Sequence, residues 1–203
     1  MPASAGGPLQ VMPAPAGGPL QVTLASASPR RLELLRQIGI EPARVFTPEI
    51  DETPRRGEVL RAYAKRLAVE KLGPQDGNFT IAADTVVSAG ARILHKTAVR
   101  DEAERYLRLL SGRRHKVFTG LAVRAPDGRV ANRVVAAVVG FARLDDGQIR
   151  SYLDSGEWDG KAGGYAIQGR AAAFINFISG SYSAVVGLPV HETAVLLRGL
   201  GYK

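Results

Sequence analysis

The chain has 203 residues, 45% hydrophobic and 23% charged, with three histidines, no cysteine and a formal net charge of +8 at pH 7. This is the composition of an ordinary soluble globular protein long enough to bury a core; it excludes disulfides, thiolate metal sites and cysteine nucleophiles. His95, His115 and His191 show no metal-ligand spacing, and no run approaches the ~18 apolar residues of a membrane span.

The positive charge is spread along the chain, which points to a small anion or a basic cleft rather than a tail. MPASAGGPLQV (1–11) returns almost unchanged as MPAPAGGPLQV (12–22). It lacks a basic segment ahead of an apolar one, so it does not read as a signal peptide. Residues 1–18 are expected to form a disordered Pro/Gly/Ala-rich leader before one domain over 19–203.

A strand is expected at about 20–25. Ser28 and Pro29 then supply an N-cap and a first helical residue, and Gly39 ends that helix. VFTPEIDETP (45–54) reads as a short strand and an acidic loop, and 56–73 as a helix closed by glycine. FTIAADTVVSAGARIL (79–94) suggests a buried strand, a polar break at the aspartate and a hairpin. A helix follows at 100–112, then strands at 115–123 and 133–144 around APDG, a helix at 146–158 and a last one at 189–201. Strands alternate with helices but include a hairpin, so the expected class is α/β with a mixed central sheet flanked by helices.

Arg30 and Arg31 stand in the first turn of the first helix, where the dipole disfavours cations by roughly 0.3–1 kcal/mol each. Either they point into solvent, or an anion sits at the helix start, where free N–H groups and the serines of SASPRR would join them. Asp84 in IAADTVV suits the strand end where α/β sheets gather ligands, though an Asx turn with Thr85 reads equally simply. Asp51 and Glu52 could offer Mg²⁺ carboxylate oxygens or form a solvated loop. Lys71 reads as helix-dipole compensation and Lys96 as surface, unless both converge on phosphate. Gln168, between Ile167 and Gly169, carries a donor and an acceptor suited to a nucleobase edge; otherwise it is a buried glutamine holding loop backbone. His115 reads as a solvated start of a strand, His191 as structural and Trp158 as packing.

LASASPRRLELL, IDE, LAVEK, AADTVV, SGRRHKVFTG, KAGGYAIQG and GSYSAVVGLPVHET, in this order over about 20–202, resemble the Maf family of nucleoside triphosphate pyrophosphatases. The resemblance implies an inosine triphosphatase-like (Maf/Ham-type) fold with two lobes around a cleft. It also implies Mg²⁺ or Mn²⁺ dependence, a homodimer, a cytoplasmic setting and hydrolysis of a triphosphate to monophosphate and pyrophosphate. Ser26, Arg30 and Arg31 would bind phosphates, as would Lys71 and Lys96 beside the catalytic carboxylates. Glu52 and Asp84 would hold the metal, with Asp84 as general base or metal ligand, and Gln168 would read the base. YAIQG resembles the branch acting on dTTP and UTP, modified pyrimidines included; the 7-methyl-GTP branch is the alternative.

Two segments depart from the family pattern: His95-Lys96-Thr97 stands where Gly-Lys-Pro is usual, and Arg170-Ala171 where Leu-Gly is usual. Thr97 replaces a proline after Lys96, which predicts a less rigid loop. Arg170 follows IQG, where a cation beside the base-reading loop would alter substrate choice. A non-enzymatic septum-formation regulator binding nucleic acid or protein is the competing class. The sequence offers no aromatic-interleaved basic patch, helix-turn-helix or zinc module for it.

Overall fold

The computed structural model describes residues 21–203, so the duplicated leader lies outside the described residues. In chain order the elements are β1 (Val22–Ala25), α1 (Pro29–Gln37), β2 (Arg44–Phe46), α2 (Leu60–Glu70), β3 (Phe79–Ala89), β4 (Arg92–Leu94) and β5 (Lys96–Thr97). Then come α3 (Arg100–Leu110), β6 (Arg114–Arg124), β7 (Val130–Phe141), α4 (Asp146–Asp154) and β8 (Lys161–Ala162). A 3₁₀ turn (Arg170–Phe174), β9 (Ile175–Ser179), α5 (Tyr182–Val186) and α6 (Val190–Gly199) complete the chain.

The main sheet runs β2-β1-β3-β6-β7-β9, with β4 also on β3. β1 pairs parallel with β2 and β3, and the other pairings are antiparallel, so the class is mixed α/β as expected. β5 and β8 form a separate two-stranded ribbon.

Alternation along the strands sorts the two faces. Leu24, Phe79, Ile81, Leu121 and Val123 meet Leu34 and Leu35 of α1 and Leu196 and Leu197 of α6. The opposite face offers mostly small residues, Ala25, Ala82 and Ala122, to Ala68 and Leu72 at the end of α2. Gly120 sets how closely α2 can lie: a Cβ there would stand 2.0 Å from the Ala64 carbonyl oxygen. A second core gathers Leu107, Phe141, Ile149, Tyr152 and Trp158 under α3 and α4. The expected packing role of Trp158 is met, and its indole N–H donates to the Leu153 carbonyl at 2.8 Å.

Three expectations change. The polar break at Asp84 is absent: β3 runs through it, because β6 pairs with β3 continuously from Thr80 to Ser88. α2 starts at Leu60 rather than 56, since Gly57 at φ +75° belongs to a turn closed by Glu58 N–H on the Arg55 carbonyl. The stretch 161–175, where no regular element is expected, carries β8 and the 3₁₀ turn and leads into β9, an edge strand defined by its pairing with β7.

Candidate active site

β1 ends at Ala25, and the chain turns through Ser26 and Ser28 into α1. Ser28 is the N-cap and Pro29 the first helical residue, as expected, yet the Ser28 hydroxyl makes no capping bond and no acid stands in the first turn. The two arginines separate. Arg31 is only 8% exposed; its Nε donates to the Gly187 carbonyl at 2.8 Å and an Nη1 proton to Ser26 Oγ at 3.1 Å. Burial lowers its pKa, and the Asp84 charge partly opposes that shift. Arg30 is half-buried, and neither arginine matches the solvated alternative. Both line a cleft of about 340 Å³ that Glu52, Lys71 and Lys96 also line.

Asp84 shares the α2 face of β3 with Ala82 and Val86, so the strand aims its carboxylate at the helix. Lys71, at the C-cap of α2, meets it there: its ammonium bonds Asp84 Oδ1 and lies 2.5 Å from Glu52 Oε1. Lys96 stands 3.6 Å from Glu52 Oε2. Lys71 is 5% exposed and Asp84 3%, so this is a buried bridge, not dipole compensation or an Asx turn. Asp84 lies mid-strand, just past the end of β1, rather than at a strand end. Thr85 points to the other face and hydrogen-bonds the Thr119 hydroxyl at 3.2 Å. Tyr63 anchors the Glu52 loop by donating to the Glu52 carbonyl at 2.6 Å. Partial burial pushes the Glu52 pKa up, but the Lys71 bond and the Lys96 charge together hold it below the usual value. Asp51 stays exposed and accepts the Thr53 N–H, outside the site.

Among the described residues, no cluster of three or more acidic, histidine or cysteine side chains could form a protein cage for a metal. The two carboxylates sharing Lys71 are hard oxygen donors. They suit a Mg²⁺-like ion that takes its remaining ligands from phosphate and water.

Gln168 is exposed at the cleft, which overturns the buried-glutamine alternative. The loop that carries it is tied from several sides. Gly163 N–H donates to the Leu94 carbonyl at 3.0 Å, Ala166 N–H to the Tyr152 hydroxyl at 3.0 Å, and Arg170 N–H to Glu157 Oε2 at 2.7 Å.

A family model described as Maf-like protein matches residues 21–200. The chain belongs to the Maf family. It is 57% identical over 182 residues to a dTTP/UTP pyrophosphatase of Hyphomonas neptunium, covering 89% of this chain and 95% of that one. To the dTTP/UTP pyrophosphatase of Caulobacter vibrioides it is 54% identical over 184 residues, with coverage of 89% and 95%. Among solved structures, a HAM1 protein from Coxiella burnetii aligns at 19% identity and a TM-score of 0.47, covering 89% and 99%.

Within this Maf chain the two departures from the family pattern are absorbed locally. Thr97 is buried in β5, and its hydroxyl accepts the Val99 N–H at 3.0 Å, so hydrogen bonds hold what a proline ring would have held. Arg170 turns away from the cleft, its Nε 3.8 Å from Glu157 Oε1. His115 is not solvated: it is 2% exposed, its Nε2 pairs with the Tyr165 hydroxyl at 2.8 Å, and burial lowers its pKa to about 4. His191 is exposed at the start of α6. Lys161, Thr85 and Tyr165 also line the cleft and were missed as site residues. The only signal for Lys161 was its place in KAGG, and a glycine-flanked lysine does not announce its direction.

Proposed function

We propose that this Maf chain hydrolyses nucleoside triphosphates, dTTP and UTP first among them, to the monophosphate and pyrophosphate with a divalent cation. Residues 19–203 would act as one catalytic domain. The observation that carries this is the Lys71 ammonium bridging Glu52 and Asp84 at a cleft that Lys71 and Glu52 line together with Arg30 and Arg31 of the α1 start. An anhydride between phosphates needs charge neutralisation and an oriented water more than a side-chain nucleophile.

The roles follow from placement. Ser26, Arg30 and Arg31 receive phosphate oxygens at the N-terminus of α1. Arg31 has three N–H groups beyond the two it gives to Gly187 and Ser26. Lys71 and Lys96 line the same cleft. An arriving triphosphate competes for the Lys71 ammonium and so frees carboxylate oxygens of Glu52 and Asp84. Asp84 does not itself line the cleft, so this exchange makes it available as proton acceptor for the attacking water only when substrate is present. The proton goes to the carboxylate, the oxygen to phosphorus, and pyrophosphate leaves. Glu52 and Asp84 would hold Mg²⁺ or Mn²⁺, which supplies charge neutralisation at the phosphates. The Gln168 amide pairs with the O4 and N3–H edge of thymine or uracil. The homodimer and cytoplasmic setting implied by the resemblance belong to this proposal; among the described residues, no helix is long and apolar enough to cross a membrane.

The test is pyrophosphate release from a panel of nucleotides, 7-methyl-GTP included, with Mg²⁺, with Mn²⁺ and with chelator. Cation-dependent release that favours dTTP and UTP is expected. A preference for 7-methyl-GTP would overturn the base assignment, and no release from any nucleotide would overturn the activity.

A further inference from the structure

Lys161 is half-buried at the cleft and has no carboxylate partner among the described residues; its ammonium donates only to the nearby Asp159 carbonyl, at 2.7 Å. Arg30, also at the cleft and half-buried, likewise has no acidic hydrogen-bond partner among the described residues. The two are close enough to repel: after burial, the Arg30 charge is the next cause lowering the Lys161 pKa. Asp159 and Glu157 partly offset this repulsion for Lys161 and Glu33 for Arg30, and a bound anion would offset it further.

Arg31 feels the charges of Asp84, Arg30 and Glu52. Arg30 feels Glu33 and then Tyr152, whose hydroxyl accepts from Ala166, two residues before Gln168. Arg30, Lys161, Glu52 and Gln168 all line this one cleft. β8 sets the lysine there by pairing Lys161 with Thr97, next to Lys96 on β5.

We propose that Lys161 is a substrate-contacting residue, forming with Arg30 a two-sided anion clasp through which the phosphate chain passes between the carboxylates and the Gln168 loop. This rests on the nucleotide reading above for the identity of the substrate, but not for the clasp itself. With its remaining two N–H donors, Lys161 supplies charge-assisted bonds to non-bridging oxygens from β8.

The experiment measures inorganic tripolyphosphate binding by calorimetry with chelator present, and KM for dTTP with Mg²⁺. Proteins compared are wild type, Lys161→Met, Lys161→Arg and, as a control of equal charge, exposed Lys65→Met. Lys161→Met is expected to weaken tripolyphosphate and raise KM by about tenfold or more, the size of a lost bond between charged groups. Lys161→Arg should stay within about threefold of wild type, since it keeps the charge, and Lys65→Met should match wild type. Equal melting temperatures confirm that the variants are folded, and Lys161→Arg keeps the comparison open should Lys161→Met unfold. Unchanged tripolyphosphate affinity in Lys161→Met overturns the clasp, as does wild-type protein that binds no tripolyphosphate. If no nucleotide is turned over and the affinity difference persists, the nucleotide reading falls and the clasp stands.

Discussion

Replacing Lys71 by methionine removes the ammonium between two carboxylates and leaves Asp84 charged, nearly buried and unpaired. The two side chains are 6% and 4% exposed in the bridge, so water screens it poorly. Breaking a buried pair from one side costs about 3–5 kcal/mol, mostly the penalty of the stranded charge. For a domain of this size, with about 2–4 °C per kcal/mol, the melting temperature should drop by about 6–20 °C. Asp84→Asn is a different perturbation: Lys71 keeps Glu52 at 2.5 Å, and the amide still accepts a hydrogen bond, so the loss should be about 1–2 kcal/mol. The double variant should regain most of the Lys71→Met loss, because no charge is then stranded. Urea unfolding followed by circular dichroism, with chelator and without nucleotide, measures all three. Asp84→Asn should also abolish turnover while still binding nucleotide. A Lys71→Met cost below about 1 kcal/mol, or a double variant no more stable than Lys71→Met, would refute the bridge as the centre of this site.

The two arginines should separate in the same assays. Arg30→Ala should cut kcat/KM by about tenfold or more at unchanged stability, whereas Arg31→Ala should lose activity and a further ~1–3 kcal/mol of stability, because the Gly187 carbonyl and Ser26 hydroxyl lose a buried donor. Equal melting temperatures for the two would contradict this division. His115 predicts an acid-sensitive term. Its folded pKa of about 4 lies below the ordinary 6.5, so the unfolded chain binds more protons between those values, and stability falls as pH drops through that window. The full term is on the order of 3 kcal/mol. His115→Gln should flatten the decline in urea midpoint between pH 6.5 and 5, and an unchanged slope would remove His115 as its source.

Much of the scaffold was legible because it is written in local patterns. Ser28-Pro29 at a helix start, APDG between two apolar runs and the glycine-closed helices act through backbone geometry within a few residues. The site was legible in parts, as residue types in an ordered set of motifs. Asp84, however, reads in the sequence as a polar interruption. It stays in β3 because Lys71 meets its charge from α2, a contact across thirteen positions that depends on Gly120 letting that helix lie against the sheet.

The sequence by itself determined the mixed α/β class, the cation-rich corner at α1 and the membership of Ser26, Arg30, Arg31, Glu52, Lys71, Asp84, Lys96 and Gln168 in one motif set. Only the tertiary structure decided that Arg31 braces Gly187 while Arg30 remains available, that Asp84 sits beneath Lys71, that Arg170 turns away and that Lys161 turns in. The physical reason is range. Caps, turns and alternation act over a few residues, while a side chain's burial and charge environment are set by elements that meet only after the chain has folded.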